Sequence, residues 1–283
     1  MIVWLASYPK SGNTLVRSML AAYFFSKDGI YDFDLIRNIK QFPDNTLFKE
    51  MGLNINNDEE IIKNYINVQE KINKKNSIQF LKTHSYLFNI NNNPFTDLNN
   101  SIGAIYIVRD PRNVVTSWAN FTKTSLEKAA DVLIKTYQFG GEKNSTNDPE
   151  TTVFVGTWGQ NFNSWKSFKH QQRYLLIKYE DLINNRDIFL HKILKFIHDL
   201  NGTELKIDQK KFNNVVETTS FERMKNLEST KGFFEATIDS KTGKKIPFFN
   251  LGDKNDWKQF LNVKISDKIE KAFENEMTEL GYL

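Results

Sequence analysis

The first eighteen residues, MIVWLASYPKSGNTLVRS, restrict the fold more than any other stretch of the chain. Met1-Ile2-Val3-Trp4-Leu5-Ala6 is a short apolar run with no polar alternation, the pattern of a parallel strand buried on both faces. Ser7-Tyr8-Pro9-Lys10-Ser11-Gly12-Asn13-Thr14 supplies turn residues, hydroxyls and one lysine. From Thr14 onward Leu15, Met19, Leu20, Tyr23 and Phe24 recur at helical spacing. Strand, polar loop and helix in that order form a phosphate site: loop N–H groups and the helix N-terminus converge where an anion can sit, with Lys10 as a point charge. A nucleoside-triphosphate loop would read Gly-x-x-x-x-Gly-Lys-Ser/Thr. Here Lys10 precedes Gly12, and Asn13 stands where that lysine belongs. The alternative for so short a stretch is a turn with a solvated lysine.

Length and composition narrow the class. A chain of 283 residues allows one large domain or two small ones, and 40% hydrophobic with 25% charged residues is the balance of an ordinary globular protein. Twenty-three Phe, ten Tyr and five Trp point to an aromatic-rich core or pocket. No cysteine is present, which excludes disulfides, thiolate metal sites and a cysteine nucleophile, and leaves the redox compartment open. No basic stretch precedes a long apolar core and no apolar run is long enough to span a membrane, so a cytoplasmic location is the expectation. A net charge of +4 suits an anionic ligand, but the lysines are dispersed and form no nucleic-acid stripe.

Further along, the spacing of Ile61, Tyr65, Val68 and Ile72 predicts one helix over about 59–72, with the rest of 26–77 on the surface or around a substrate pocket. Ile78-Gln79-Phe80-Leu81-Lys82-Thr83-His84 reads as a strand running into a loop, with Lys82 and His84 at its carboxyl end, where ligands of open α/β sheets bind. His84 is there either a base or a strand-end histidine hydrogen-bonded to backbone. His170, His191 and His198 fall in helical surface contexts.

Residues 101–108 form a third strand. Asp110 is then a good N-cap and Pro111 suits the first helical position, which sets Arg109 at a strand end facing a helix N-terminus. Ser117, seven residues after Asp110, falls on the same helix face. Arg109 could equally form an ion pair with Asp110 or Glu180, and Arg112 is assigned to the surface. The stretch 123–170 reads as helical, with Val153, Trp158, Phe162, Trp165 and Phe168 as core. A fourth strand ends in Tyr179-Glu180-Asp181, a helix covers 188–200, and Ser220 or Thr219 caps a helix entered by Phe221. An amphipathic helix through Ile265, Ile269, Phe273, Met277 and Leu280 closes the chain.

Taken together, Tyr8-Pro9-Lys10-Ser11-Gly12-Asn13-Thr14, Lys82-Thr83-His84, the strand followed by Arg109 and Ser117, Tyr179-Glu180-Asp181, Thr219-Ser220-Phe221 and Gly252…Asp256-Trp257-Lys258 resemble, in order, the motifs of the sulfotransferases. The resemblance implies a single α/β domain over residues 1–283, with a central parallel sheet flanked by helices. It implies transfer of a sulfuryl group from phosphoadenosine phosphosulfate (PAPS) to a hydroxyl or amine of a small-molecule acceptor, leaving the product PAP. Carried over residue by residue, His84 is the base, Lys10 meets charge on the leaving oxygen and Lys82 holds the transferring group. Lys10, Ser11, Gly12, Asn13 and Thr14 bind the phosphosulfate, Arg109 and Ser117 the 3′-phosphate, Tyr179 and Phe221 the adenine, and Gly252 belongs to the closing segment. No metal is implied, since lysines and loop N–H groups stand where a kinase uses Mg²⁺.

The chain departs from the family pattern at four places. Asn250 and Leu251 replace an Arg-Lys pair in the closing segment, Asn255 replaces a glycine, and Leu15 stands where a tryptophan meets adenine. The 3′-phosphate thereby loses a guanidinium, which Lys244, Lys245 or Lys254 would have to replace. Residues 258–267 loosely echo a short dimer motif, so a homodimer is possible. Tyr86, Phe88, Trp118 and Phe121 are candidate acceptor-pocket residues. The rival readings are a nucleotide kinase of the same sheet class, which lacks its Gly-Lys-Ser/Thr here, and a nucleotide-binding member that no longer turns over.

Overall fold

The computed structural model describes residues 1–75, 77–140, 151–239 and 242–283. Its strands are β1 (Ile2–Ser7), β2 (Lys40–Gln41), β3 (Gln79–Thr83), β4 (Asn89–Ile90), β5 (Asn93–Pro94), β6 (Ser101–Val108), β7 (Tyr137–Phe139), β8 (Val153–Gly156) and β9 (Tyr174–Lys178). Five of them make one parallel sheet in the order β2-β3-β1-β6-β9, while β4 with β5 and β7 with β8 form two small antiparallel ribbons. The apolar β1 lies at the centre, where a strand has no solvent-facing side to supply with polar residues. Ile2, Trp4 and Ala6 face one core; Val3 and Leu5 face the other.

The first core is built on Trp4, whose ring sits 5.2 Å from Phe95, 5.6 Å from Phe42 and 6.1 Å from Trp165. Its indole N–H would be costly to bury unpaired, and it donates to Ser101 Oγ at 2.7 Å. The second core packs the Asn13–Phe25 and Arg186–Leu200 helices onto the opposite face through Val16, Leu20, Leu190 and Leu194. From β1 the chain builds outward to β3 and β2 on one side and later to β6 and β9 on the other. The loops after β1, β3 and β6 therefore open at the carboxyl edge around this switch point, where α/β sheets bind ligands.

Four sequence expectations change. The helix over 59–72 is two helices, Asp58–Lys63 and Tyr65–Asn73, because Asn64 leaves the helical conformation and turns its amide onto the Glu60 carbonyl at 2.8 Å. The region 26–77 is more than surface: Ile36, Ile39, Phe42 and Phe48 are fully buried, and β2 extends the sheet. The stretch 123–170 is helical only in part, since β7 and β8 interrupt it between the Leu126–Ile134 and Trp158–Trp165 helices. Val153 is accordingly core, as expected, but on a strand; residues 141–150 lie outside the described residues. The closing helix divides at Phe273 into Val263–Ala272 and Glu274–Glu279.

Candidate active site

The loop after β1 is shaped by two left-handed residues, Lys10 at φ 67° and Gly12 at φ 99°, which fold the backbone into the start of the Asn13–Phe25 helix. Glycine is needed at position 12 for a second reason: a Cβ there would sit 2.3 Å from Cδ2 of Tyr179. Asn13 does not face the ligand space with its amide; it turns inward and donates to the Leu5 carbonyl at 2.9 Å and Ser7 Oγ at 3.2 Å, fastening helix to strand. Ser11 is fully buried, its hydroxyl has no partner, and it is absent from the cavity wall described below.

Lys10 Nζ lies between two rings, 3.9 Å from the Phe121 centroid and 4.2 Å from that of Phe248. Burial, reinforced by the charges of Arg109 and Lys82, pushes its pKa down to about 7. Lys10, Arg109 and Lys82 thus act on one another electrostatically around one space.

His84 follows β3 directly. Its Nδ1 is 2.8 Å from the Ser7 carbonyl, an oxygen that can only accept, so Nδ1 carries the proton and Nε2 keeps its lone pair. The backbone at His84 is held as well: Asn161 donates to its carbonyl at 2.8 Å and in turn accepts from the Tyr106 hydroxyl. Burial, and then the charge of Lys82, lowers its pKa to about 3, so the ring is neutral at physiological pH. His170 and His191 are exposed, and His198 bonds Thr203 near the end of its helix.

Arg109, at the end of β6, is buried at 7% exposure and makes no ion pair with Asp110 or Glu180. The reason is that both carboxylates are taken. Asp110 caps the Pro111–Thr122 helix and holds Arg112, while Glu180 accepts from the Asp110 N–H at 3.0 Å and the Tyr282 hydroxyl at 2.9 Å. Arg109 instead donates to the Lys10 carbonyl at 3.2 Å and packs 4.3 Å over the Tyr179 ring, with its Nε unpartnered. Arg112, expected at the surface, is buried between Asp110 and Glu270, because the C-terminal segment folds over it.

The closing segment is hung on the Phe221–Lys231 helix. Glu228 accepts from the N–H groups of Phe248 and Phe249 at 2.8 and 3.0 Å. Gly252 is left-handed at φ 60°, and a Cβ there would meet the Phe221 ring at 2.7 Å.

These parts enclose one cavity of about 770 Å³. Its wall includes Lys10, Gly12, Asn13, Thr14, Lys82, His84, Arg109, Ser117, Tyr179, Phe221 and Gly252. Of the expected acceptor residues, Trp118 and Phe121 line it, whereas Tyr86 lines a separate shallow pocket and Phe88 packs in the first core. Lys244, Lys245 and Lys254 are exposed and off the wall, so none of them takes the place of the missing lid cation.

Three further residues escaped the sequence reading. Glu235 lines the cavity and pairs with Arg17 at 2.6 Å and Lys82 at 4.0 Å. Burial works against its charge, but Lys82 and Arg17 outweigh it and hold the carboxyl at about 2. Arg17, in helical register behind the loop, had only its charge to mark it; Arg186 also lines the cavity. Unpartnered guanidinium nitrogens and a lysine depressed by its cationic neighbours are what a polyanionic nucleotide would complete, so the residues fit PAPS.

The fold and the loop define an α/β protein that binds a phosphorylated ligand at the carboxyl edge of its sheet. Residues 2–281 match the sulfotransferase domain model, and the chain belongs to the sulfotransferase family, whose sulfuryl donor is PAPS. It is 25% identical to human sulfotransferase 1E1 over 97% of this chain and 83% of that one. Among solved structures it is similar to mouse sulfotransferase SULT7A1 complexed with PAP (TM-score 0.61, 19% identity, 98% and 84% of the two chains covered). It is also similar to retinol dehydratase complexed with retinol and PAP (TM-score 0.57, 16% identity, 98% and 81% covered). Among the described residues no helix is long and apolar enough to cross a membrane.

Proposed function

We propose that this sulfotransferase moves the sulfuryl group of PAPS to a hydroxyl or amine of a small molecule, with His84 as the base. The observation that carries the reading is the contact of His84 Nδ1 with the Ser7 carbonyl, which can only accept and so leaves Nε2 as the ring's free lone pair, in a residue that lines the same cavity as Lys10 and Lys82. Bound PAPS would supply an activated sulfur; the acceptor's oxygen or nitrogen forms a bond to it as the bond from sulfur to the bridging phosphate oxygen breaks, and PAP leaves. His84 Nε2 takes the acceptor's proton. Lys10 meets the negative charge that develops on the departing phosphate oxygen, and Lys82 steadies the sulfuryl oxygens. A low pKa makes His84 a weak base in the free protein, but an anionic donor beside it raises that basicity. Lys10, Gly12 and Thr14 hold the phosphosulfate end, Arg109 and Ser117 the 3′-phosphate, and Tyr179 and Phe221 the adenine. Trp118 and Phe121 bound the acceptor space.

The test is a screen of phenols, alcohols and amines with ³⁵S-labelled PAPS. For the best acceptor, His84→Ala is expected to lower kcat by about 10²–10⁴-fold. PAP affinity, measured by calorimetry, should stay near wild type. Retention of most of kcat in the variant would remove His84 from the reaction. A second reading, a nucleotide-binding member without turnover, is favoured by Asn250 and Leu251 in the closing segment. Tight PAP binding with no labelled product from any acceptor would select it.

A further inference from the structure

We infer that Arg186 is the second guanidinium for the nucleotide's 3′-phosphate, in place of the arginine that the closing segment lacks. The inference rests on the nucleotide reading above. Arg186 begins the Arg186–Leu200 helix and lines the same cavity as Arg109 and Tyr179. Tyr179 and Ile183 belong to the short Tyr179–Asn184 helix, Arg186 follows the break at Asn185, and all three lie on the cavity wall. Arg109 packs on Tyr179 at 4.3 Å, so that wall carries a guanidinium on the tyrosine ring and a second one farther along the chain.

The side chain of Arg186 is unspent. Its Nε is fully buried without a hydrogen-bond partner, and among the described residues its guanidinium forms no ion pair. Glu222 and Asp253 also line the cavity, yet neither comes within ion-pair distance of it. Arg186 as a residue is half-buried, and a buried guanidinium N–H without an acceptor carries a desolvation cost that a phosphate oxygen would offset. Arg109 Nε is orphaned in the same way, and a phosphate dianion has lone pairs for both. Among the described residues Lys244, Lys245 and Lys254 are exposed and off the wall, and Asn250 and Leu251 are neutral.

Calorimetric titration of PAP and of AMP, which lacks the 3′-phosphate, into wild type, Arg186→Ala, Arg186→Lys and Lys254→Ala decides it. Arg186→Ala should weaken PAP by about tenfold, one charge-assisted contact's worth, while AMP changes by less than twofold. Arg186→Lys should recover part of the loss, and Lys254→Ala should match wild type. Adding Asn250→Arg and Leu251→Lys to Arg186→Ala should restore PAP affinity by supplying the phosphate's cation from the other side. Equal losses for PAP and AMP would place Arg186 on the base or ribose and overturn the inference. So would an unchanged PAP affinity in a folded Arg186→Ala protein. A wild type that binds neither nucleotide would instead overturn the PAPS site, and this contact with it.

Discussion

Lys10 shows how one residue is set by several parts of the chain. Its left-handed backbone comes from the loop, its ring contacts from Phe121 and Phe248, and its lowered proton affinity from burial beside Arg109 and Lys82. With a pKa near 7 in the free protein, Lys10 is charged below that pH and largely neutral above it. An anionic ligand favours the charged form, so binding raises this pKa. Nucleotide binding above pH 7 should therefore take up a proton, and affinity should fall as pH rises through that region. Calorimetry at pH 8 in two buffers of different ionisation enthalpy measures the uptake. Lys10→Met should abolish it, and an undiminished uptake in that variant would assign the proton to another group.

Among the elements, the closing segment owes its position to a helix it does not adjoin in sequence. Glu228 holds the backbone of Phe248 and Phe249, and Gly252 lets the chain pass against Phe221. Gly252→Ala combines a left-handed φ, which costs an alanine about 1–2 kcal/mol, with a contact far inside van der Waals range. Nucleotide affinity should drop in this variant because the segment must back away from the cavity. Phe221→Ala alone removes the ring proposed to face the adenine, but in the double variant the clash is gone. The two losses should thus be less than additive in a double-mutant cycle on PAP binding; strict additivity would mean that they do not act through this contact.

At the scale of the molecule, Arg112 ties the site to the far end of the chain. It joins Asp110, the cap of the helix that follows Arg109, to Glu270 and the Tyr282 carbonyl, and it stacks 4.1 Å from Trp257. Removing one member of a buried ionic network leaves the others unpaired, so Arg112→Ala should cost about 3–5 kcal/mol. Urea unfolding would read this as a lower midpoint. A loss under about 1 kcal/mol would mean that the network relaxes or that water replaces the guanidinium.

Local chemistry was enough to read the central strand, the phosphate loop, the Asp110 cap, and Lys82 and His84 at a strand's carboxyl end, because unbroken apolar runs, turn residues and caps act within a few residues of themselves. The two-helix break at Asn64, the β7–β8 ribbon and the burial of Arg112 were not legible, since each is decided by partners distant in sequence. Asn13 and Ser11 lay in a strand–loop–helix unit that the sequence showed, yet which way each side chain turns depended on Leu5, Ser7 and the packing behind the loop. Arg17, Arg186 and Glu235 carry no local signal at all. A charge becomes part of a site only when folding removes its water and sets another group against it, and that pairing is made in three dimensions.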